Sequence, residues 1–527
     1  MIRERLRILI QKALHNLNID EDVVEIERPE DNLHGDYATN IALLNAKKSG
    51  LAPLELANKI VAELLREQSN DIAKIEIAGP GFINFFIENT IIEREVFQKE
   101  FLPTRKGEKI NIEFISTNPT GELHIGHGRT AFYGDTLSRV LVLSGADVSR
   151  EFYINDSRES NQINELGKTA LGKGEQYKTP ELGEKMKRLD FSGLSEEEAG
   201  GLLASAVQES NRAFIENILG IHFDIWYSEE MKLRVSGANS AMLQFLKDHG
   251  NTYEKDGALW LKTTEYGDDE DRVIVRGDGT MTYFIADIAY HQNKFERGFT
   301  TVIDILGADH HGHMKRMHAV GKILGWPKAP LSGVPQPIVF IAQLVSLKED
   351  GVSKKMSKRA GNVILLRDLV DEFGIDVARW FFIEKALTTQ MNFDMALARD
   401  TSDKNPVYYV QYAHARLASI QEKTNGLQQS VNTLSFDEMM RIPSARALAL
   451  SIIEFPEIVS DVSRNYMVNA LTNYATDLAQ CVNSYYHNMR VIEDNMYDAS
   501  ALALFLEAKA TLSRALNLLG ISAPERM

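Results

Sequence analysis

Cysteine is nearly missing from this chain: Cys481 is the only one in 527 residues. A lone thiol excludes an intramolecular disulfide, and it excludes a zinc site built from several cysteines. Long apolar runs are missing too. No stretch approaches the ~20 consecutive apolar residues of a membrane-spanning helix, and the opening Met-Ile-Arg-Glu-Arg-Leu-Arg is charged where a signal peptide would be apolar. A cytoplasmic protein without membrane contact is therefore expected. Positive charge is in short supply, with 58 Lys and Arg against 74 Asp and Glu and a net charge of −16. That balance argues against a nucleic-acid-binding surface spread over the whole chain, since affinity for phosphate backbones comes from Lys and Arg. A locally basic face remains compatible with it. The Gly-x-Gly-x-x-Gly pattern is absent as well, which disfavours a dinucleotide site.

What is present is ordinary globular material, 44% hydrophobic and 25% charged. The length exceeds one hydrophobic core, so two to four domains are expected. The stretch Asn-Pro-Thr-Gly-Glu-Leu-His-Ile-Gly-His at 118–127 organises the rest. It follows the alternating apolar and polar residues of 110–115, which predict a strand, and precedes the apolar periodicity of 129–144, which predicts a helix. At such a corner unpaired backbone N–H groups and the positive end of the helix dipole meet a ligand, an arrangement suited to polyphosphate. His124 and His127 share one side of the first turn and can donate to phosphate oxygens as charge moves. Gly126 between them leaves room for a flat base.

The remaining chain divides by pattern. Residues 1–105 predict helices at 1–17 and 52–68, a strand at 73–78 running into Gly-Pro-Gly-Phe-Ile-Asn-Phe-Phe at 79–86, and a turn at 34–40 leading into a further helix, hence an α+β N-terminal module. Residues 106–400 form the centre. A second strand at 148–155 completes a β-α-β unit, so the core is read as α/β with a Rossmann-like parallel sheet. Between about 160 and 262 the pattern is helical and charged, with Ser195 and Glu198 as a capping box; this is read as an insertion whose charge runs are solvated faces. Strands at 272–276 and 281–285 are expected around Gly277-Asp278-Gly279. If a helix begins there instead, Tyr283 and Asp287 share a face and form a receptor for a guanidinium. A strand at 302–306 ends in Gly307 and Asp309, where an α/β sheet takes ribose hydroxyls. A basic loop, Lys-Lys-Met-Ser-Lys-Arg at 354–359, follows, then helix, Gly374, helix as a bridge at about 365–400. Residues 401–527 show amphipathic runs at 444–455, 467–489 and 499–519 and predict an all-α helical bundle.

His-Ile-Gly-His together with Lys-Met-Ser-Lys resembles the paired signatures of class I aminoacyl-tRNA synthetases. The segments at 34–40 and 79–86 resemble the extra N-terminal domain of arginyl-tRNA synthetases, and Tyr-Tyr-Val-Gln-Tyr-Ala-His-Ala-Arg at 408–416 with the terminal Ala-Pro-Glu-Arg-Met resembles their anticodon domain. The resemblance implies an arginine-tRNA ligase. His124, His127, Lys355 and Lys358 would be catalytic, and Gly126, Gly307, Asp309, Met356 and Ser357 would join the two histidines around ATP. Glu113, Asn118, Tyr283 and Asp287 would hold arginine. Phe82 and Asn84 would meet the tRNA D-loop, and Tyr408, Tyr412, Arg416 and Met527 the anticodon region. Arg359 stands where the family usually has Ser after the second lysine.

The implied substrates and partners are L-arginine, ATP with Mg2+, and tRNA(Arg). No protein-built metal site and a monomer are expected. The resemblance further implies that the adenylate forms only with tRNA bound. The alternatives are another class I synthetase or a nucleotidyltransferase of the same superfamily. The latter has no use for RNA-binding modules, and the nearest class I competitor, the cysteinyl enzyme, carries a cysteine-containing zinc site that one cysteine cannot build.

Overall fold

In the computed structural model the described residues are 1–21, 23–29, 34–67, 69–98, 103–308, 312–330, 333, 335–349, 352–354, 364–430 and 433–527. A five-stranded sheet lies at the centre, its strands ordered Ile338–Ile341, Thr301–Leu306, Lys109–Glu113, Asp147–Ile154, Ile225–Ser228. Every neighbouring pair is parallel. Buried Ile110, Ile112, Phe152, Val302, Ile303 and Ile305 explain the arrangement, because a parallel sheet covered on both faces is built from largely apolar strands. Chain order reverses between the first strand, Lys109–Glu113, and the fourth, Thr301–Leu306. Such a switch point opens a crevice at the strands' carboxyl ends, and Glu113 and Asp304 sit there as register partners.

The helix Ile125–Leu143 lies on this sheet. Gly134 allows the close approach, since a Cβ there would fall 2.3 Å from Cγ of Phe114. Arg129 is fully buried and donates to the carbonyls of Phe382, Ala386 and Thr389, which pins the turn after the helix Ile375–Ile383 to the first helix. Burial pushes its guanidinium down to about 10.

Two expectations change. The stretch 160–262 is not one insertion, because Ile225–Ser228 returns to the central sheet as its edge strand. Helices Asn161–Ala170 and Glu196–Asn217 precede it, the latter capped by Ser195 and Glu198. After it comes a separate three-stranded antiparallel sheet ending in Arg272–Val275. The short run Ile225-Trp226-Tyr227-Ser228 was masked by the charged residues around it. Likewise 281–285 is not a strand. Only Val275 and Met281 pair, and the helix Tyr283–Glu296 begins at once. Its β-rich start, Met-Thr-Tyr-Phe-Ile, is overridden by the apolar face formed by Phe284, Ile288 and the following turns.

The N-terminal module packs helices Ile2–Asn16 and Pro53–Arg66 on an antiparallel sheet of Tyr37–Thr39, Phe82–Ile87 and Ile72–Ala78. The C-terminal region holds Pro406–Thr424, Pro443–Asn465, Asn469–Asn488 and Ala499–Leu519, joined to the core through Leu366–Phe373, Gly374 and Ile375–Ile383. The two regions touch along Pro443–Asn465. Arg446 pairs with Asp36 at 2.6 Å, Arg28 with Glu454 at 2.6 Å, and the backbone N–H of Arg3 donates to Glu457 at 2.8 Å.

Glu457 is 2% exposed, and burial pushes its carboxyl up to about 7 despite the nearby Arg3. With the folded value raised above the unfolded one, the folded state binds the extra proton. This contribution is therefore full below the usual carboxylate range and lost as pH rises through about 7. Glu457→Gln, which keeps an acceptor without the charge, should leave stability near pH 5 unchanged. At pH 8 it should raise stability by on the order of 2–3 kcal/mol. Thermal unfolding of variant and parent at both pH values checks this.

Candidate active site

The histidine corner is held by its own hydrogen bonds. His124 caps the helix Ile125–Leu143, its Nδ1 accepting the Gly126 N–H at 3.1 Å, while Nδ1 of His127 accepts the His124 N–H at 3.1 Å. With both Nδ1 atoms acting as acceptors, each neutral ring carries its proton on Nε2. Nε2 of His127 meets the Thr117 hydroxyl at 3.0 Å. The rings stack with centroids 3.8 Å apart. Glycine at 126 is required by this stack as much as by any ligand, since a Cβ there would lie 2.9 Å from Cε1 of His124. The corner thus offers two preset donors at a helix N-terminus, where negative charge is favoured.

Residues 364–366 are hydrogen-bonded to the corner. The Ile125 N–H donates to the Ile364 carbonyl at 3.1 Å, the Leu366 N–H to the Leu123 carbonyl at 2.8 Å, and His124 pairs with Leu365. Lys355, Met356, Ser357, Lys358 and Arg359 lie outside the described residues, as does Asp309. The residues just after the second signature are nonetheless joined to the first, although the two motifs are far apart in sequence. Gly307 is exposed, and among the described residues none crowds it.

Acidic side chains gather at the start of the helix Tyr283–Glu296. Tyr283 is exposed, its hydroxyl donating to Ser160 at 3.0 Å. Asp287 follows one turn later, its side chain 38% exposed and 3.8 Å from His313. Behind them stands Glu229, 3% exposed. Burial first, then the charges of Asp287 and Asp156, push its carboxyl up to about 7, with only a hydrogen bond from Tyr153 opposing them. Arg234, near Tyr283 and Tyr153, is paired with Glu159 and Glu230. Two acidic side chains within electrostatic reach of one another, one buried and one partly open to solvent, create a demand for a cation with several donors, which a guanidinium meets in a planar fork. Sequence reasoning missed Glu229, since Ser-Glu-Glu at 228–230 reads as solvated charge; the signal lies in the strand that carries it back to the core sheet.

Other expected residues are placed variously. Glu113 is buried, and its Oε2 accepts from the Tyr290 hydroxyl at 2.8 Å and from Lys294 at 2.7 Å. Asn118 lies exposed in the loop before the histidines. Phe82 is 36% exposed at the start of its strand, whereas Asn84 is buried at 3%. Tyr412 and Met527 are exposed, and Tyr408 is half-buried. The Arg416 guanidinium stacks between Tyr412 and Tyr486, 4.8 and 4.6 Å from their ring centres, so Tyr486 extends a cation-aromatic face that the sequence did not single out. Among the described residues no group of three His, Cys, Asp or Glu is placed to hold a metal ion, and no helix is long and apolar enough to cross a membrane.

A parallel sheet with a histidine pair at its first helix and a ligand crevice at its switch point defines a catalytic domain of the class I tRNA synthetase type. Residues 215–417 match the model described as tRNA synthetases class I (R), catalytic domain. Residues 4–87 match the arginyl tRNA synthetase N terminal domain, and 410–527 the DALR anticodon binding domain.

The chain is 41% identical to a relative named arginine-tRNA ligase from Shouchella clausii, covering 100% of this chain and 99% of the relative. It is 40% identical to one so named from Listeria monocytogenes, covering 98% and 96%. Its fold is similar to that of a Thermus thermophilus arginyl-tRNA synthetase, with TM-score 0.79, 21% identity and full coverage of both chains. It is also similar to a structure described as a putative arginyl-tRNA synthetase from Campylobacter jejuni, with TM-score 0.68, 31% identity and coverage of 83% and 98%. The chain belongs to the arginyl-tRNA synthetase family.

Proposed function

We propose that this protein ligates arginine to tRNA. The arginine carboxylate attacks the α-phosphorus of ATP, the bond to the β-phosphate oxygen breaks, and pyrophosphate leaves. The arginyl group then passes from AMP to the 3′-terminal adenosine of tRNA(Arg). The observation that carries the reading is the buried Glu229 lying within electrostatic reach of the partly open Asp287, an acidic cluster in the same catalytic domain as two preset Nε2 donors.

In this reading His124 and His127 donate to phosphate oxygens, and Gly126 and Gly307 lie along the nucleotide with Asp309, Met356 and Ser357. Lys355 and Lys358 neutralise the departing pyrophosphate, and magnesium enters with ATP as part of the substrate. Asp287, Tyr283 and Glu229 take the guanidinium, while Glu113 and Asn118 lie toward the α-amino end. The module 1–105 meets the D-loop through Phe82. The bundle 401–527 meets unstacked anticodon bases along Tyr408, Tyr412, Arg416 and Met527, where stacking contributes ~1–3 kcal/mol per base. The enzyme acts as a cytoplasmic monomer.

The charge state of Glu229 gives the test. A bound guanidinium favours the ionised carboxylate, so arginine binding expels the proton that Glu229 carries below about pH 7. Affinity must then increase as pH rises through 7. Calorimetric titration of the free enzyme should show the arginine Kd falling roughly tenfold between pH 6 and pH 8. Citrulline, neutral and nearly the same shape, should bind weakly at every pH, and Glu229→Gln should flatten the arginine profile. Equal affinity for arginine and citrulline would sink the guanidinium reading.

A further inference from the structure

Beneath the acidic cluster three carboxylates stand side by side on adjacent parallel strands. Asp304, Glu113 and Glu151 are register partners, 1%, 6% and 0% exposed. Like charges opposite one another repel, so this row exists only because cations face it. Those cations come from one place, the second half of the helix Tyr283–Glu296 and the residue after it. Lys294, 0% exposed, donates to Glu113 at 2.7 Å and to Asp304 at 2.8 Å. Arg297 holds both oxygens of Glu151, at 2.7 and 3.0 Å.

His291 closes the set. Its Nε2 faces Asp304 at 2.8 Å and its Nδ1 faces the Asp287 carbonyl at 2.8 Å. Two acceptors require both ring nitrogens to carry protons. Burial works against the charge, and the Asp304 carboxylate overcomes it, holding the imidazole above its ordinary value.

The links are continuous: Glu113, Lys294, Asp304, His291, then the backbone of Asp287. One end is the carboxylate assigned above to the α-amino side of arginine, and the other carries the carboxylate assigned to the guanidinium. We infer that Lys294 and His291 are positioning residues that fix the register of the helix on the sheet, and so set the length of amino acid the site accepts. The inference rests on the arginine reading of the cluster. Its physical basis is that a helix tied through three side chains to the three central strands of the sheet cannot slide along its axis without leaving a buried charge unpaired.

Length selection predicts a readout that simple destabilisation would not move. The homologue of arginine shortened by one methylene presents the same charges at the wrong separation. A site of fixed length should discriminate against it by roughly 10- to 200-fold in kcat/KM for tRNA charging. His291→Asn and Lys294→Met loosen the register, so they should raise the arginine KM and reduce that discrimination at least fivefold, with the ATP KM within about twofold of the parent. Lys294→Arg, which keeps the charge, should restore most of the discrimination.

Lys294→Met leaves two carboxylates unpaired, so folding is checked by thermal unfolding. If it does not fold, His291→Asn and Lys294→Arg carry the comparison. A folded His291→Asn enzyme that loses activity equally on both substrates overturns the positioning role while leaving the arginine reading intact. A parent enzyme that does not charge tRNA with arginine overturns the arginine reading itself.

Discussion

Replacing His127 with alanine should lower kcat for tRNA charging by roughly 10²- to 10³-fold while leaving the arginine KM within a fewfold of its original value. The ring is already placed before any ligand arrives, with Nδ1 held by the His124 N–H at 3.1 Å, Nε2 beside Thr117 at 3.0 Å and the ring stacked on His124 at 3.8 Å. A preset donor acts most strongly where charge develops, and removing one donor of this kind costs about 2.7–4 kcal/mol in the transition state. In the proposed reading arginine is held by Asp287, Tyr283 and Glu229 rather than by the histidine corner, so its ground-state binding should not depend on this ring. Because the ring also accepts a backbone hydrogen bond at the helix start, His127→Asn provides the control: an amide that restores the cap but not the rate assigns the loss to catalysis. Steady-state kinetics with thermal unfolding of both variants separate the two roles. A kcat unchanged in His127→Ala would remove the pair from the chemistry.

The second large effect is expected at Asp287. Its side chain is partly open to solvent and stands with the nearly buried Glu229 at the start of the helix Tyr283–Glu296. Asp287→Asn keeps the shape and removes one charge. A hydrogen bond between charged groups contributes ~1.5–3 kcal/mol, so the arginine KM should rise roughly tenfold to a hundredfold while the ATP KM stays put. The same substitution should lower the raised value of Glu229, because a neighbouring negative charge is lost. The pH dependence of arginine binding should therefore move to lower pH in Asp287→Asn. An arginine KM equal to that of the parent would take Asp287 out of the site.

The parts legible in the sequence were those governed by local chemistry. Strand, histidine turn and helix at 110–144 were readable because the apolar period changes on either side of a polar Gly-containing turn. The capping box at Ser195 and the glycine stop at Gly374 were readable for the same reason. Glu229 and Lys294 were not, since each looks like surface charge until distant strands are brought beside it: Lys294 becomes a buried bridge only when Asp304 and Glu113 meet in register. Asn84 illustrates the converse, a polar residue in a promising motif whose strand turns it inward. The ties between the N-terminal module and Pro443–Asn465 were equally invisible, because ion pairs more than 400 residues apart leave no periodic trace.

The central claim is that the acidic cluster selects arginine for activation and transfer to tRNA. It is tested most directly by ATP–pyrophosphate exchange with each of the twenty amino acids, in the presence and absence of total tRNA. The account predicts exchange with arginine alone, appearing when tRNA is added. Exchange driven by another amino acid, or none with arginine when tRNA is supplied, would contradict it.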